Sequence, residues 1–462
     1  MTSLIKRLKR DVPKILELAG PLLVGQLAVI AFGVLDTAMT ARYSTDDLAA
    51  MGMASAIFIS IYVGLTGVVS ALNPIAGQLF GAKRFSEIGE EVRQTFWLSM
   101  VLSLLGIVIL LHPQPLLGIG HVSPSIEAKA TLYLQILALG LPPMMAMRTL
   151  VALHNAISKP IVVTVLQLIG LGLKIPLNAW FIFGGLGLSA MGGPGCAVAS
   201  VIINWVWLIS ITLLVLLGKS YRRYGIFERF SAPNFHRIWT IFKLGAPIGF
   251  SYLIEVTSFA FMAIFIAKFG TSVLAGHQIV SNIGTVIYMV PLSLSIATMT
   301  LISQSIGANK YYQAEEIAWS AVIFTSSVCI SIGLLVWLCQ DFLLDMYSPR
   351  SEVRETAKSL FIFIAFYQAA DSLQVAAAFI LRGYRISFLP MCIYALSLWG
   401  VGLCGGYFLA FNTFGNSPLV FQGARGFWMG NSVSLGIAAL ALLILFRFTA
   451  KRFEITHPGI EL

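Results

Sequence analysis

The chain has 462 residues, 58% of them hydrophobic and only 11% charged, against roughly 45–50% apolar and about 25% charged in an ordinary soluble domain. That balance excludes a soluble fold, and no segment is polar enough to build a soluble domain alone; the longest strongly polar stretch runs from about Gly218 to Lys243. The formal net charge of +10 speaks for basic loops on the cytoplasmic side of a membrane rather than for a nucleic-acid partner.

In chain order, Lys6, Arg7, Lys9 and Arg10 come first and lead into a full-length apolar run with no small-residue cleavage site. They read as a cytoplasmic anchor and not as a cleaved signal peptide. A bilayer core takes about 20 apolar residues per helix. Runs of that length lie near 15–39, 48–72, 94–111, 131–152, 161–183 and 195–217, and a matching set near 244–267, 279–303, 317–340, 358–381, 388–411 and 426–447. Twelve spans return both termini to one side. With the termini inside, Lys and Arg number 22 on the cytoplasmic side and 7 outside, Lys174 lying within a span, and this is the bias that orients a polytopic protein.

The two sets of spans carry the same punctuation at a shift of 226: Pro21 falls on Pro247, Leu48-Ala49 on Leu274-Ala275, Ser55 on Ser281, Gln78 on Gln304, and Gly81-Ala82 on Gly307-Ala308. Further on, Gly192-x-x-Gly195 matches Gly423-x-x-Gly426 at a shift of 231, as loop insertions would produce. The expectation is one six-helix unit duplicated: an N-lobe over 1–217, a cytoplasmic inter-lobe loop over 218–243 and a C-lobe over 244–462. An even number of spans per unit makes the repeats parallel, with substrate expected between the lobes. The fold class is an all-α polytopic membrane protein of twelve transmembrane helices in two pseudo-symmetric six-helix bundles.

Four charged side chains fall inside spans: Asp36, Lys174, Glu255 and Asp371. Each costs about 2.5–3.5 kcal/mol on insertion scales, so such residues seldom persist without a function or a partner. Helical rise puts Glu255 roughly 17 Å in from the cytoplasmic start of span seven and Asp371 at a similar depth on span ten. Two carboxylates at mid-bilayer in one lobe do not both ionise cheaply, which makes Glu255 and Asp371 the candidate coupling site for Na⁺ or H⁺, and the metal site if the ion is Na⁺. Tyr367, one turn before Asp371 on the same face, is placed to add a hydroxyl ligand. Asp36 and Lys174 both fall in the outer half of the bilayer, where they could pair. On that reading the first lobe holds a self-neutralised pair and the second an acidic site with no fixed counter-charge.

At these residues the sequence resembles the multidrug and toxic compound extrusion family, in its NorM-like branch. The segments that carry the resemblance are Gly33-Val-Leu-Asp-Thr-Ala-Met39, Ile175-Pro-Leu-Asn178 with Phe181-Ile-Phe-Gly184, Gly245-Ala-Pro-Ile-Gly-Phe-Ser-Tyr252 leading to Glu255, and Leu381-Arg-Gly-Tyr384. The resemblance covers nearly the whole chain. It implies two bundles around a central cleft, export of amphipathic organic cations by a Na⁺ or H⁺ gradient, cation-site roles for Asp36, Glu255 and Asp371, no cofactor, and a bacterial inner membrane. Lys174 departs from it, since members of the family often carry Asn there; an ammonium competes with any cation at Asp36, so Lys174 reads as an ion-pair modulator. Thr40-Ala41-Arg42 departs as well, where the family commonly has a small residue and Gly.

The expected function is secondary active efflux of small amphipathic cations by antiport, through alternating access between the lobes, with Pro21 and Pro247 as bend points in equivalent spans. The alternative is a lipid-linked oligosaccharide flippase of related fold, which would line its cleft with basic rather than acidic residues. Gly218-Lys219-Ser220 lacks the earlier glycine of a phosphate-binding loop, so an ATP-driven pump is not indicated. His112, His121, His154, His236, His277 and His457 are dispersed with no H-E-x-x-H pattern, and the chain reads as no enzyme. Cys196, Cys329, Cys339, Cys392 and Cys404 form no C-x-x-C pair and indicate neither zinc nor a disulfide framework. The expected partners are the bilayer and the transported molecule, with nothing that calls for more than a monomer.

Overall fold

A computed structural model of the chain describes residues 2–118, 123–185, 187–228, 230–347, 350–413, 415 and 417–456. Among the described residues twelve helices are long and apolar enough to cross a membrane: α1 Ile5–Tyr43, α2 Thr45–Gly81, α3 Phe85–Leu111, α4 Pro124–Ala156, α5 Pro160–Phe183, α6 Gly193–Leu217, α7 Phe235–Ala267, α8 Thr271–Gly307, α9 Tyr311–Leu338, α10 Ser351–Gly383, α11 Phe388–Ala410 and α12 Ala424–Phe453. Each apolar run of the sequence lies on one of them. An all-helical answer is what hydrocarbon imposes, because every backbone N–H and C=O must be paired within its own segment. Several helices outrun their apolar stretch. The α7 helix starts at Phe235, inside the polar segment, and the basic residues from Lys6 to Arg10 lie within α1 itself.

The chain forms two compact units, one of Val24–Gly249 and the other of Met1–Leu23 with Phe250–Leu462. The cuts fall within α1 and α7 rather than in the 218–243 loop. They lie two residues past Pro21 and two past Pro247, and 249 − 23 = 226 is the shift that relates the sequence halves.

In the unit of Val24–Gly249, one core cluster gathers Leu72, Ile88, Val92, Leu150 and Leu153, and another gathers Ala54, Leu110, Leu134, Leu141 and Ile182. The start of α7 is held to α3, where Arg237 Nη1 donates to Glu91 Oε1 at 2.5 Å and the Asn234 amide donates to Gln94 Oε1 at 2.8 Å. Gly245 and Gly249, one turn apart on α7, lie against α2. A Cβ at Gly245 would collide with the Val68 carbonyl and one at Gly249 with the Gly64 carbonyl. Lipid offers no hydrophobic drive between helices, so small residues that let backbones approach are what such a contact uses.

In the other unit, Ile15, Leu18 and Ala19 pack on Leu294, Ala297 and Ala321. Arg10 Nη2 donates to Glu316 Oε2 at 2.7 Å, and Ser320 Oγ donates to Asp11 Oδ2 at 3.1 Å. At the shift of 226, Glu316 and Ser320 are the counterparts of Glu90 and Gln94, so the same turns of α3 and α9 anchor the start of a proline-bearing helix. The main core of this unit is built from Ile302, Leu360, Phe361, Ile364, Trp428, Leu442 and Phe446. Within α11, residues Ala395–Gly405 wind as a π-helix, and Gly406 sits so close to Gly430 of α12 that a Cβ at Gly430 would strike the Gly406 backbone.

Candidate functional site

In the unit that contains Phe250–Leu462, α7 contributes Tyr252 and Glu255, α8 Tyr288, α10 Tyr367, Gln368, Asp371 and Arg382, and α11 Tyr394. Asp371 is only 1% exposed, and among the described residues its Oδ2 has no hydrogen-bond partner. Glu255 is partly accessible. It is hydrogen-bonded to the Tyr288 hydroxyl, and it interacts electrostatically with both Asp371 and Arg382. The two carboxylates therefore act on each other electrostatically.

Arg382 is 4% exposed. Its Nη1 donates to the Tyr252 hydroxyl at 2.8 Å, and its guanidinium lies over the Phe379 ring at 4.3 Å and the Tyr252 ring at 4.8 Å. Tyr288 and Tyr394 also interact with it. This corrects the sequence reading of an acidic site without a fixed counter-charge. Arg382, counted on sequence among the loop cations, is a buried cation within electrostatic reach of Glu255. The planar guanidinium makes this tolerable, since it stacks on aromatic faces and is less strongly hydrated than an ammonium.

Tyr367 is buried with its ring edge-on between Phe259 at 6.2 Å and Trp428 at 5.6 Å, and it interacts electrostatically with Asp371. Trp428 in turn donates to His277 Nδ1 at 3.2 Å. Gln368, three residues before Asp371, is fully buried, and among the described residues neither its amide oxygen nor its amide nitrogen has a partner. Sequence reasoning passed over Tyr288, Gln368 and Arg382. The available signal was polarity inside spans eight and ten: a tyrosine and a glutamine amid apolar neighbours, and an arginine within the Leu381-to-Tyr384 segment.

The unit of Val24–Gly249 brings Asp36 and Lys174 together. Lys174 Nζ lies 3.0 Å from Asp36 Oδ1, with the lysine side chain completely buried and the aspartate 14% exposed. Asn178 Nδ2 donates to the same Oδ1 at 2.7 Å. The ammonium also donates to the Cys196 carbonyl at 3.2 Å and to the Ser200 hydroxyl, and it lies 5.8 Å from the centre of the Phe32 ring. A lysine carries three N–H donors, and here each has an acceptor. Tyr133, hydrogen-bonded with Ser55, completes the surroundings of Asp36.

The remaining polar residues singled out by sequence are scattered. His154 bonds the Leu150 carbonyl at 2.7 Å and the Tyr221 hydroxyl at 3.0 Å; His112 and His236 are exposed, and His121 and His457 lie outside the described residues. Cys196 and Cys329 are buried, Cys339 and Cys404 exposed, and Cys392 half-buried. Among the described residues no three His, Cys, Asp or Glu side chains gather as a metal-binding set.

This fold, with two interacting carboxylates in one unit and a carboxylate–ammonium pair in the other, is that of a polytopic membrane transporter. The family model described as MatE matches residues 21–180 and 247–408, two stretches that begin 226 residues apart, and the chain belongs to that family. Curated relatives place it in the NorM-like branch. It is 35% identical over 436 residues to a probable multidrug resistance protein NorM of Aromatoleum aromaticum, covering 94% of this chain and 93% of that one. It is 32% identical over 457 residues to the multidrug resistance protein PmpM of Pseudomonas aeruginosa, covering 98% and 95%. Among solved structures, a MATE protein in the bent conformation superposes with a TM-score of 0.87 at 16% identity, over 99% of both chains. A eukaryotic MATE transporter, AtDTX14, superposes with a TM-score of 0.84 at 20% identity, over 97% of this chain and 99% of that one. The twelve helices and these bacterial relatives make the chain a multi-pass inner-membrane protein.

Proposed function

We propose that the protein exports amphipathic organic cations by antiport against Na⁺ or H⁺, with both termini cytoplasmic and with Glu255 and Asp371 as the coupling carboxylates. The observation that carries this reading is the acid pair: Asp371, buried with one oxygen unpartnered among the described residues, and Glu255, which acts on it electrostatically. The names of the relatives, multidrug resistance proteins, support drugs as the substrates; that these are amphipathic cations is part of the proposal. Counting Arg382, the cluster of Glu255, Asp371 and Arg382 has one net negative charge, so one Na⁺ or one proton neutralises it. Tyr288 on Glu255, and Tyr367 one turn from Asp371, are the neutral oxygens placed to complete a cation shell.

Lys174 plays the opposite part at Asp36: a tethered ammonium occupies the position a free cation would take. One charge moved inward through 100 mV releases about 2.3 kcal/mol, enough with a concentration gradient to drive outward accumulation of a drug. Linkage requires that ion and drug favour different arrangements of the protein; it does not require that they touch.

The test is ethidium efflux from proteoliposomes with imposed Na⁺ and pH gradients varied independently, for wild type, Asp371→Asn and Glu255→Gln. Efflux driven by one of the gradients and lost in Asp371→Asn is expected. Absence of gradient-driven efflux in the wild type would turn the assignment toward a lipid-linked oligosaccharide flippase, and normal efflux in both variants would remove the coupling role of the acid pair.

A further inference from the structure

Outside the charged centres, the unit of Val24–Gly249 has a groove of about 380 Å³ between α3 and the segment that precedes α7. It is lined by Arg93, Phe96, Trp97 and Met100 on one side and by Ile226, Phe227, Phe230 and Ser231 on the other. Phe230 is 83% exposed while stacking edge-on against Trp97 at 5.9 Å, and Phe227 contacts Phe96 at 6.3 Å. Phe235 and Trp239, just beyond, are also exposed and stack on each other at 6.3 Å. Arg93 builds this wall and is not left to bind a ligand. Its donors are spent on Ser231 Oγ, the Gly225 and Ile226 carbonyls, and Glu90.

Beside the groove the chain is strongly basic. Between Lys219 and Lys243 it carries six Lys or Arg against one carboxylate, Glu228. Lys219, Arg222 and Arg223 are exposed on a 3₁₀ turn, Lys219–Tyr224, and among the described residues none has a carboxylate partner. Arg223 lies over the Phe85 ring at 4.5 Å, and Lys159 reaches the same turn through Ser220 at 3.1 Å.

We propose that this groove and the basic turn hold one anionic glycerophospholipid, its phosphate at Arg222 and Arg223 and an acyl chain along Phe96, Met100, Phe227 and Phe230. Exposed aromatics beside basic side chains are the composition of a membrane–water interface. The charge complement selects an anionic headgroup, since each Lys or Arg near an anionic surface is worth roughly a fivefold gain in affinity. Length agrees as well. From Phe85, under Arg223, to Met100 is about 22 Å of helix, close to the depth of one leaflet with its headgroups, half of about 40–45 Å. A drug cation does not suit the site, because the basic turn repels it.

The experiment is native mass spectrometry of the full-length protein equilibrated with equal amounts of phosphatidylglycerol and phosphatidylcholine of identical chains. The variants are Arg222→Gln with Arg223→Gln, Phe227→Ala with Phe230→Ala, and Lys6→Gln with Lys9→Gln as a control of equal charge change at exposed positions elsewhere. Wild type and control should retain phosphatidylglycerol about tenfold over phosphatidylcholine. The arginine variant should fall to about twofold or less, and the phenylalanine variant should lose the adducts of both lipids. Equal retention of the two lipids by the wild type, or equal loss in the Lys6/Lys9 control and the arginine variant, would overturn the headgroup assignment. Undiminished adducts in the phenylalanine variant would overturn the placement of the chain.

Discussion

Lys174 Nζ stands 3.0 Å from Asp36 Oδ1, and the other donors of the same ammonium go to the Cys196 carbonyl and the Ser200 hydroxyl. An ammonium so completely matched is an internal counter-ion, not a side chain waiting for a ligand. Removing one member of a buried pair typically costs about 3–5 kcal/mol, whereas replacing both by apolar groups is often nearly neutral. Lys174→Met is therefore expected to lower the thermal midpoint of the purified protein clearly. The double variant with Asp36→Asn should recover most of that loss, as read by a double-mutant cycle in one detergent.

Asp371→Asn and Glu255→Gln remove the charge without changing the shape of the side chain. Each is expected to reduce gradient-driven efflux at least tenfold while the amount of folded protein in the membrane stays near wild type. Initial efflux rates normalised to reconstituted protein check this. A loss of protein rather than of rate would identify the acids as structural.

Arg382 offers a sharper electrostatic prediction. Taking away a cation that acts on Glu255 strengthens the hold of the acid pair on the coupling ion, because an adjacent like charge no longer opposes it. Arg382→Gln should lower the half-saturating concentration of that ion several-fold and slow turnover. Arg382→Lys is expected to restore the charge but not the behaviour, since an ammonium does not reproduce the planar stack on Phe379 and Tyr252. Ion dependence of efflux in the two variants, side by side, decides it.

Gly245 tests the packing of α7 on α2. A side chain there meets the Val68 carbonyl, a backbone atom that cannot swing aside, so Gly245→Val should destabilise by at least the ~1–3 kcal/mol typical of overpacking. Gly33→Ala has nothing within 4 Å of the added methyl and should leave the thermal midpoint unchanged within about a degree. Comparing the two by thermal unfolding separates a close helix approach from a general cost of replacing glycine.

Much of the architecture was legible because a bilayer narrows the choices. Twelve apolar runs had to be helices, and the Pro21/Pro247 and Gln78/Gln304 correspondences exposed the duplication before any contact was known. The charged residues inside spans were legible too, because their cost in hydrocarbon marks them out. What hydropathy could not convey was the reach of long side chains. Arg382 sits near a helix end, where its sequence position reads as a loop cation, yet its guanidinium extends inward to Tyr252. Tyr288 gives no charge signal at all, and its place beside Glu255 depends on how α7 and α8 are turned toward each other.

The sequence by itself determined the class of protein, the number of spans, the repeat and the short roll of costly buried charges, since each follows from the one-dimensional spacing of polar and apolar groups in a medium that punishes exceptions. Only the tertiary structure decided which of those charges meet and what else they meet: Lys174 saturated by three acceptors, Arg382 among the tyrosines, and the compact units dividing beyond Pro21 and Pro247. The reason is physical. Burial cost is a property of one residue at one depth, whereas pairing depends on the rotation and spacing of neighbouring helices, which side-chain packing settles in three dimensions.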